Sequence, residues 1–270
     1  MGDKSGADAL HPVLFFSHGF VGGRVLDALL ERDPSFVCTF GTGVLAACEQ
    51  AAQVWRNIEN NPTGMSALAS TSVRVLVNTM LTSIRARTGA GRWCEFISAD
   101  PSVAETFLSL FPDTKCICLH RSCPDSVHLG FNANPWGLAG NSFSTFNAKY
   151  PSSQLSALSA WWAARTRTLL DFEAAHPGVS LRVHYEDLVS DPLAEERRIL
   201  DFIGVDNQLS ALVNESDSAV EIVKAGKPGC GAGFPAGQLP QQLLSDINEL
   251  QARLGYPRLR TLSKSLATLF

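Results

Sequence analysis

The chain has 270 residues, 45% of them hydrophobic and 18% charged, which suits one large α/β domain or two small ones and excludes a collagenous or wholly disordered chain. With 22 Lys and Arg against 26 Asp and Glu, the net charge is −4. That argues against a general nucleic-acid binder or a protein that binds anionic membranes, since such proteins concentrate positive charge.

Residues 1–11 are polar and read as a flexible N-terminus without the apolar stretch of a signal segment. The Met-Gly opening resembles a myristoylation site, but the hydroxyl is Ser5 and Gly6 stands where that motif wants it. No run approaches the roughly 18 apolar residues of a spanning helix. The seven cysteines read as reduced thiols, and the expected location is cytoplasmic.

The run VLFFS at 13–17 predicts a strand, followed by a glycine turn and a helix with Val25, Leu26, Leu29 and Leu30 on one face. Residues 44–58 and 66–86 predict two more helices, and 93–97 a short strand. Asp100-Pro101 has the form of a cap with proline in the first turn, opening a helix to Leu110. After Phe111-Pro112-Asp113 comes a buried strand, KCICL at 115–119, ending at His120-Arg121.

Residues 129–153, rich in Asn, Ser, Gly and Phe, predict a long loop with one short helix, of the kind that forms lids and acceptor-side pockets. A helix over 155–175, a strand over 181–185, and a helix capped by Asp191-Pro192 follow. Residues 226–237 carry five glycines and two prolines and so form a loop, and 240–254 form a last helix. Strands alternating with helices predict a three-layer α/β fold, a central parallel sheet flanked by helices, as a single domain over 1–270.

In such a sheet, ligands sit beyond the carboxyl ends of the strands. The first strand ends in Ser17-His18-Gly19-Phe20-Val21-Gly22-Gly23-Arg24, where glycines let N–H groups converge on an anion at a helix start. A turn with packing duties alone is the competing reading. Cys116, Cys118, His120 and Cys123 invite a metal, but alternation turns Cys116 and Cys118 onto one face of a buried strand, where thiols pack as small hydrophobes; no metal is expected. Trp161 and Trp162 read as core, whereas Phe131, Trp136, Phe143 and Phe146 are open candidates for an aromatic pocket.

The glycine turn alone resembles three families. Gly19-Phe20-Val21-Gly22 is similar to the turn of extended short-chain dehydrogenases, but Phe16 stands where their first glycine falls and Tyr150 is followed four residues on by Gln154 instead of lysine. A strand ending in His-Gly resembles the oxyanion turn of α/β-hydrolases, yet no G-x-S-x-G elbow supplies a nucleophile.

The third resemblance is co-linear over about residues 12–256. Leu110-Phe111-Pro112-Asp113-Thr114-Lys115, an apolar strand, then Arg121 and Asp125 resemble the LFPDAKFI-x-L-x-R-x-x-x-D segment of the sulfotransferases that use 3′-phosphoadenylyl sulfate (PAPS). Tyr185-Glu186-Asp187-Leu188 running through Asp191-Pro192 to Arg197-Arg198 resembles their YEDL-x-x-DP segment. Arg92-Trp93-Cys94-Glu95 is similar to the segment that often reads Glu-Lys-Thr-Pro in members acting on carbohydrate and protein tyrosine.

The resemblance implies a P-loop-like sulfotransferase fold whose first turn holds the 5′-phosphosulfate and whose later strand end holds the 3′-phosphate. Carried over, Gly19, Phe20, Val21, Gly22, Gly23 and Arg24 form the donor turn, Arg121 is the 3′-phosphate arginine, and Lys227 adds charge from the glycine loop. Glu95 is the candidate base, with His18 as a second catalytic candidate. The competing structural readings are a solvated carboxylate or an Arg92 partner for Glu95, and a turn residue bonding local backbone for His18.

The pattern departs from the family at named places. Phe20 replaces a basic residue, Val21 a serine, Gly23 and Arg24 two threonines, Leu129 the serine at the 3′-phosphate, and Phe96 the lysine after Glu95. Each lost charge-assisted contact costs about 1.5–3 kcal/mol. Two readings therefore stand: a transferase moving a sulfuryl group from PAPS to a hydroxyl of a small-molecule acceptor, or a repurposed scaffold that binds another anionic ligand or uses another donor. Neither nucleic acid nor membrane is an expected partner, and a homodimer is left open.

Overall fold

The structure is a computed structural model and describes residues 11–17, 19, 26, 30, 35–89, 91–98, 100–133, 143–205 and 227–260. Among the described residues five short runs pair as strands: β1 (Val13–Ser17), β2 (Phe36–Phe40), β3 (Arg92–Ile97), β4 (Lys115–His120) and β5 (Ser180–His184). All pairings are parallel, in the order β2-β3-β1-β4-β5. Parallel neighbours require crossovers, so the helices fall on the two faces of the sheet and the central strands β1 and β4 are buried among apolar side chains on both sides.

Alternation along the strands divides the core. Leu14, Phe16, Trp93, Ile97, Cys116 and Cys118 face the helices α1 (Val44–Ile58), α2 (Ala67–Thr88) and α3 (Glu105–Leu110). Val13, Phe15, Cys94, Phe96, Ile117 and Leu119 turn to the other face, under α7 (Tyr185–Ser190) and α8 (Pro192–Ile203). A third cluster joins α4 (Cys123–Ala133), α6 (Gln154–Ala175) and α9 (Gln241–Arg253), with the short α5 (Ser144–Lys149) against it.

The caps follow side-chain chemistry. Asp100 accepts from Ser102 N at 3.0 Å and Asp191 from Ala194 N at 3.1 Å, each followed by a proline whose missing N–H leaves nothing unsatisfied. Ser66 and Ser153 cap α2 and α6 in the same way.

One strand was passed over and two expectations need correction. Phe36–Phe40 is a strand, carried by a five-residue aromatic and β-branched run that is too short to show a period beside the helix after it. The last strand ends at His184, and Tyr185 opens a helix, because Leu188 and Tyr185 need the one-turn spacing to reach the core together. Residues 129–133 belong to α4 rather than to a loop, while Ser144–Lys149 is the short helix anticipated there. Trp161 and Trp162 are buried as expected, at 5% and 0% exposure.

Candidate functional site

The chain leaves β1 toward β2 at one edge and leaves β4 toward β5 at the other. The carboxyl ends of adjacent β1 and β4 therefore bound the crevice where open α/β sheets place their ligands. Gly19 follows β1 and His120-Arg121 close β4. A Cβ on Gly19 would lie 3.5 Å from the Trp161 ring, so α6 runs close behind this turn, and Phe143 packs on Trp161 with centroids 4.7 Å apart.

On the β2–β3 side, Glu95 is the central group. Its position in β3 points it to the same face as Trp93 and Ile97, and it is 4% exposed. A buried carboxylate is tolerated only when donors surround it. Thr42 supplies two of them to Oε1, its N–H at 2.9 Å and its hydroxyl at 3.0 Å. The Thr39 hydroxyl lies against Oε2. Thr42 stands one residue before the Gly43 cap of α1, so the carboxylate also sits at the favourable, positive end of that helix.

Glu95 forms part of the wall of an apolar chamber of about 550 Å³. Phe40, Leu45, Ala46, Phe96, Ile97 and Val103 give it its character. Phe40 is 76% exposed at this chamber, an apolar ring left facing solvent. Glu49 on α1 is the other carboxylate there; Arg56 binds it at 2.9 Å and Thr106 closes the pair. None of the described residues of 129–153 lines the chamber.

On the β4–β5 side, Arg121 is wholly buried. Its guanidinium stacks on the Tyr185 ring, 4.0 Å from the centroid. Nη2 donates to the Lys227 carbonyl at 3.2 Å, lies 3.6 Å from Cys230 Sγ and 3.9 Å from Asp125 Oδ2. Asp125 pins the glycine loop: Oδ2 accepts from Gly229 N and Oδ1 from Gly231 N, both at 2.8 Å. A Cβ at Gly231 would be 2.3 Å from the Pro124 carbonyl carbon, so only glycine permits this approach. Burial pushes the Cys230 thiol up, and Asp125 adds to the effect.

A polar chain backs this end. Glu173 bridges His120 Nε2 at 2.6 Å and Arg182 Nε at 2.7 Å. Burial alone would raise the Glu173 carboxyl, but these two partners outweigh it and hold it below its ordinary value. His184 meets Tyr256 at 3.0 Å, and Tyr256 donates to Glu186 at 2.6 Å, whose other oxygen accepts from Ser122 N. Glu186 thus orients the end of β4, a structural duty.

Among the expected site residues, the structure brings Arg121 together with the backbone of Lys227 and places Glu95 across β1 from them. The Lys227 side chain is exposed. His18, Phe20, Val21, Gly22, Gly23 and Arg24 lie outside the described residues, as does Trp136. Thr39, Thr42 and Gly231 are the site residues that sequence reasoning passed over. The signal for Gly231 was present in the glycine-rich loop; that for Thr39 was its place in a five-residue strand. Among the described residues no group of three or more His, Cys, Asp or Glu is arranged to hold a metal, and no helix is long and apolar enough to cross a membrane.

The family model described as the sulfotransferase family matches residues 25–208, well over half of the chain. No curated protein matches the sequence. Among solved structures, the sulfotransferase domain from the curacin biosynthetic pathway is 15% identical with a TM-score of 0.57, over 92% of this chain and 98% of that one. The sulfotransferase domain of the Synechococcus PCC 7002 olefin synthase is 18% identical with a TM-score of 0.54, over 91% and 94%. A Mycobacterium avium sulfotransferase is 12% identical with a TM-score of 0.54, over 93% of this chain and 79% of its own. At these identities the likeness is one of fold.

Proposed function

The chain belongs to the sulfotransferase family, and from that premise we propose that it transfers a sulfuryl group from PAPS to the hydroxyl of a small acceptor with an apolar body. The observation that carries this reading is the buried Glu95 carboxylate in the wall of the apolar chamber at the carboxyl ends of β2 and β3.

In the reaction, the acceptor oxygen bonds to sulfur, the bond from sulfur to the 5′-phosphate oxygen breaks, and the acceptor proton passes to a base. Glu95 is that base. Its carboxylate has about four lone-pair sites; Oε1 uses two on Thr42 and Oε2 uses one on Thr39. The remaining site on Oε2 receives the proton. The chamber holds the acceptor body and excludes water, which orients the hydroxyl toward Oε2. Arg121 and Lys227 are the charges for the phosphates of the donor, as the sequence resemblance suggests.

Arg121 is covered by the 227–231 segment and engaged with its carbonyl and thiol. That observation favours a second reading, a scaffold that holds a ligand in the chamber without using the nucleotide. Calorimetric titration with adenosine 3′,5′-bisphosphate separates the two. The transferase reading expects micromolar or tighter binding, weakened about 10- to 100-fold by Arg121→Ala, together with sulfuryl transfer to long-chain alcohols. Absence of binding at millimolar nucleotide overturns it.

A further inference from the structure

Thr39 stands directly opposite Glu95 in the parallel register of β2 and β3. Its hydroxyl has one proton and two acceptors within reach, Glu95 Oε2 and the Cys94 carbonyl, the latter at 2.9 Å. On its acceptor side it takes the Trp93 indole N–H at 2.8 Å. Trp93 is wholly buried, so the Thr39 oxygen is fixed from within the core while its proton is free to choose between two partners.

That arrangement fits a group that changes charge. A hydroxyl donates more strongly to a carboxylate than to a neutral carbonyl. A carboxylic acid offers a much poorer acceptor than its anion, and the Cys94 carbonyl then competes. We propose that Thr39 is a positioning residue for proton transfer: its hydroxyl donates to Glu95 while the base is ionised and turns to the Cys94 carbonyl once Glu95 has taken the acceptor's proton.

The balance closes. The acceptor proton moves to the open lone pair of Oε2 and leaves its bonding pair on the acceptor oxygen, a lone pair of that oxygen forms the new oxygen–sulfur bond, and adenosine 3′,5′-bisphosphate leaves with the electrons of the sulfur–oxygen bond that breaks. Thr39 changes hydrogen-bond partner without gaining or losing a proton. The Thr39 hydroxyl has an acceptor in either state, and its bond from Trp93 persists throughout. Glu49, the other carboxylate at the chamber, is bound by Arg56 and Thr106 and has no contact with Thr39.

The inference rests on Glu95 being the base, and its test keeps the two apart. Steady-state kinetics are measured on the full chain with Thr39→Val, Thr39→Ser, Glu95→Gln and the Thr39→Val/Glu95→Gln pair. Thr39→Val is expected to lower kcat about 10- to 100-fold, the scale of one hydrogen bond to a charged group, with KM for donor and acceptor unchanged. Thr39→Ser keeps the hydroxyl and recovers the rate to within about threefold of the parent. In the Glu95→Gln background Thr39→Val has no further effect on kcat.

Thr39→Ala, which only removes atoms, replaces the valine variant should the latter fail to fold. An unchanged kcat in Thr39→Val beside an inactive Glu95→Gln overturns the role of Thr39 alone. A serine variant as slow as the valine one does so too, because the methyl group would then be what matters. Full activity in Glu95→Gln, or a parent protein without transfer activity, overturns the assignment of the base and this inference with it.

Discussion

The two ends of the crevice solve opposite problems with the same sheet. Beyond β2 and β3 a carboxylate is held by three donors, yet beside it lies an apolar chamber of about 550 Å³. Beyond β4 a cation is wholly buried, packed on Tyr185 and roofed by a glycine loop that Asp125 pins in place. The first end is preorganised and open, the second preorganised and closed. Burial of a charge is thus compatible with either access or occlusion, and the difference lies in what covers it. Glu95 is ringed by hydroxyls from its own sheet and helix start, whereas Arg121 is covered by a loop from more than a hundred residues away.

The strongest way to break the comparison is to remove the charge at the open end. Glu95→Gln is expected to lower transfer by about 10²- to 10⁴-fold, the range of general-base catalysis, while circular dichroism and nucleotide binding stay as in the parent. At the closed end, Gly231→Ala forces a methyl group against the Pro124 backbone and lifts the loop. Limited proteolysis is expected to gain a cut within 227–233 that the parent resists.

A smaller effect sharpens the reading of the chamber itself. Ala46→Trp fills part of it and is expected to raise KM for a long-chain alcohol about tenfold, roughly the loss of one or two buried methylenes, with a smaller change for a short one. Initial-rate kinetics across a chain-length series measure this.

The smallest expected effect is on stability at the closed end. Burial lowers the His184 pKa from its ordinary 6.5, with His120 as the second cause. Below about pH 6.5 the unfolded chain takes up a proton that the folded chain refuses, so stability is full above that pH and declines as the solution is acidified. Chemical denaturation followed from pH 7 downward should show this decline, and His184→Gln should make it shallower.

How much of this was legible depended on sequence distance. The two Asp-Pro caps, the buried strands around Phe15 and Ile117 and the core role of Trp162 follow from local pattern, and each is found. Glu95 was legible as a carboxylate on a strand next to the carboxyl ends. Its partners were not, because Thr39 meets it across 56 residues through a strand pairing that must be known first. Asp125 was visible as part of a motif, but its grip on Gly229 and Gly231 joins segments more than a hundred residues apart. Of Tyr185–Ser190 only Tyr185 was read, as the end of a strand, because six residues are too few to establish a helical period.

The hydrogen bond from Trp93 to Thr39 has a consequence for tolerance to mutation. Trp93 sits in the core against Phe107, their rings 6.0 Å apart, and the same indole fixes the hydroxyl beside Glu95. Substitutions around Phe107 that a core would ordinarily absorb by small repacking will therefore shift that hydroxyl. Under the proposed reading, such variants should lose turnover while still folded.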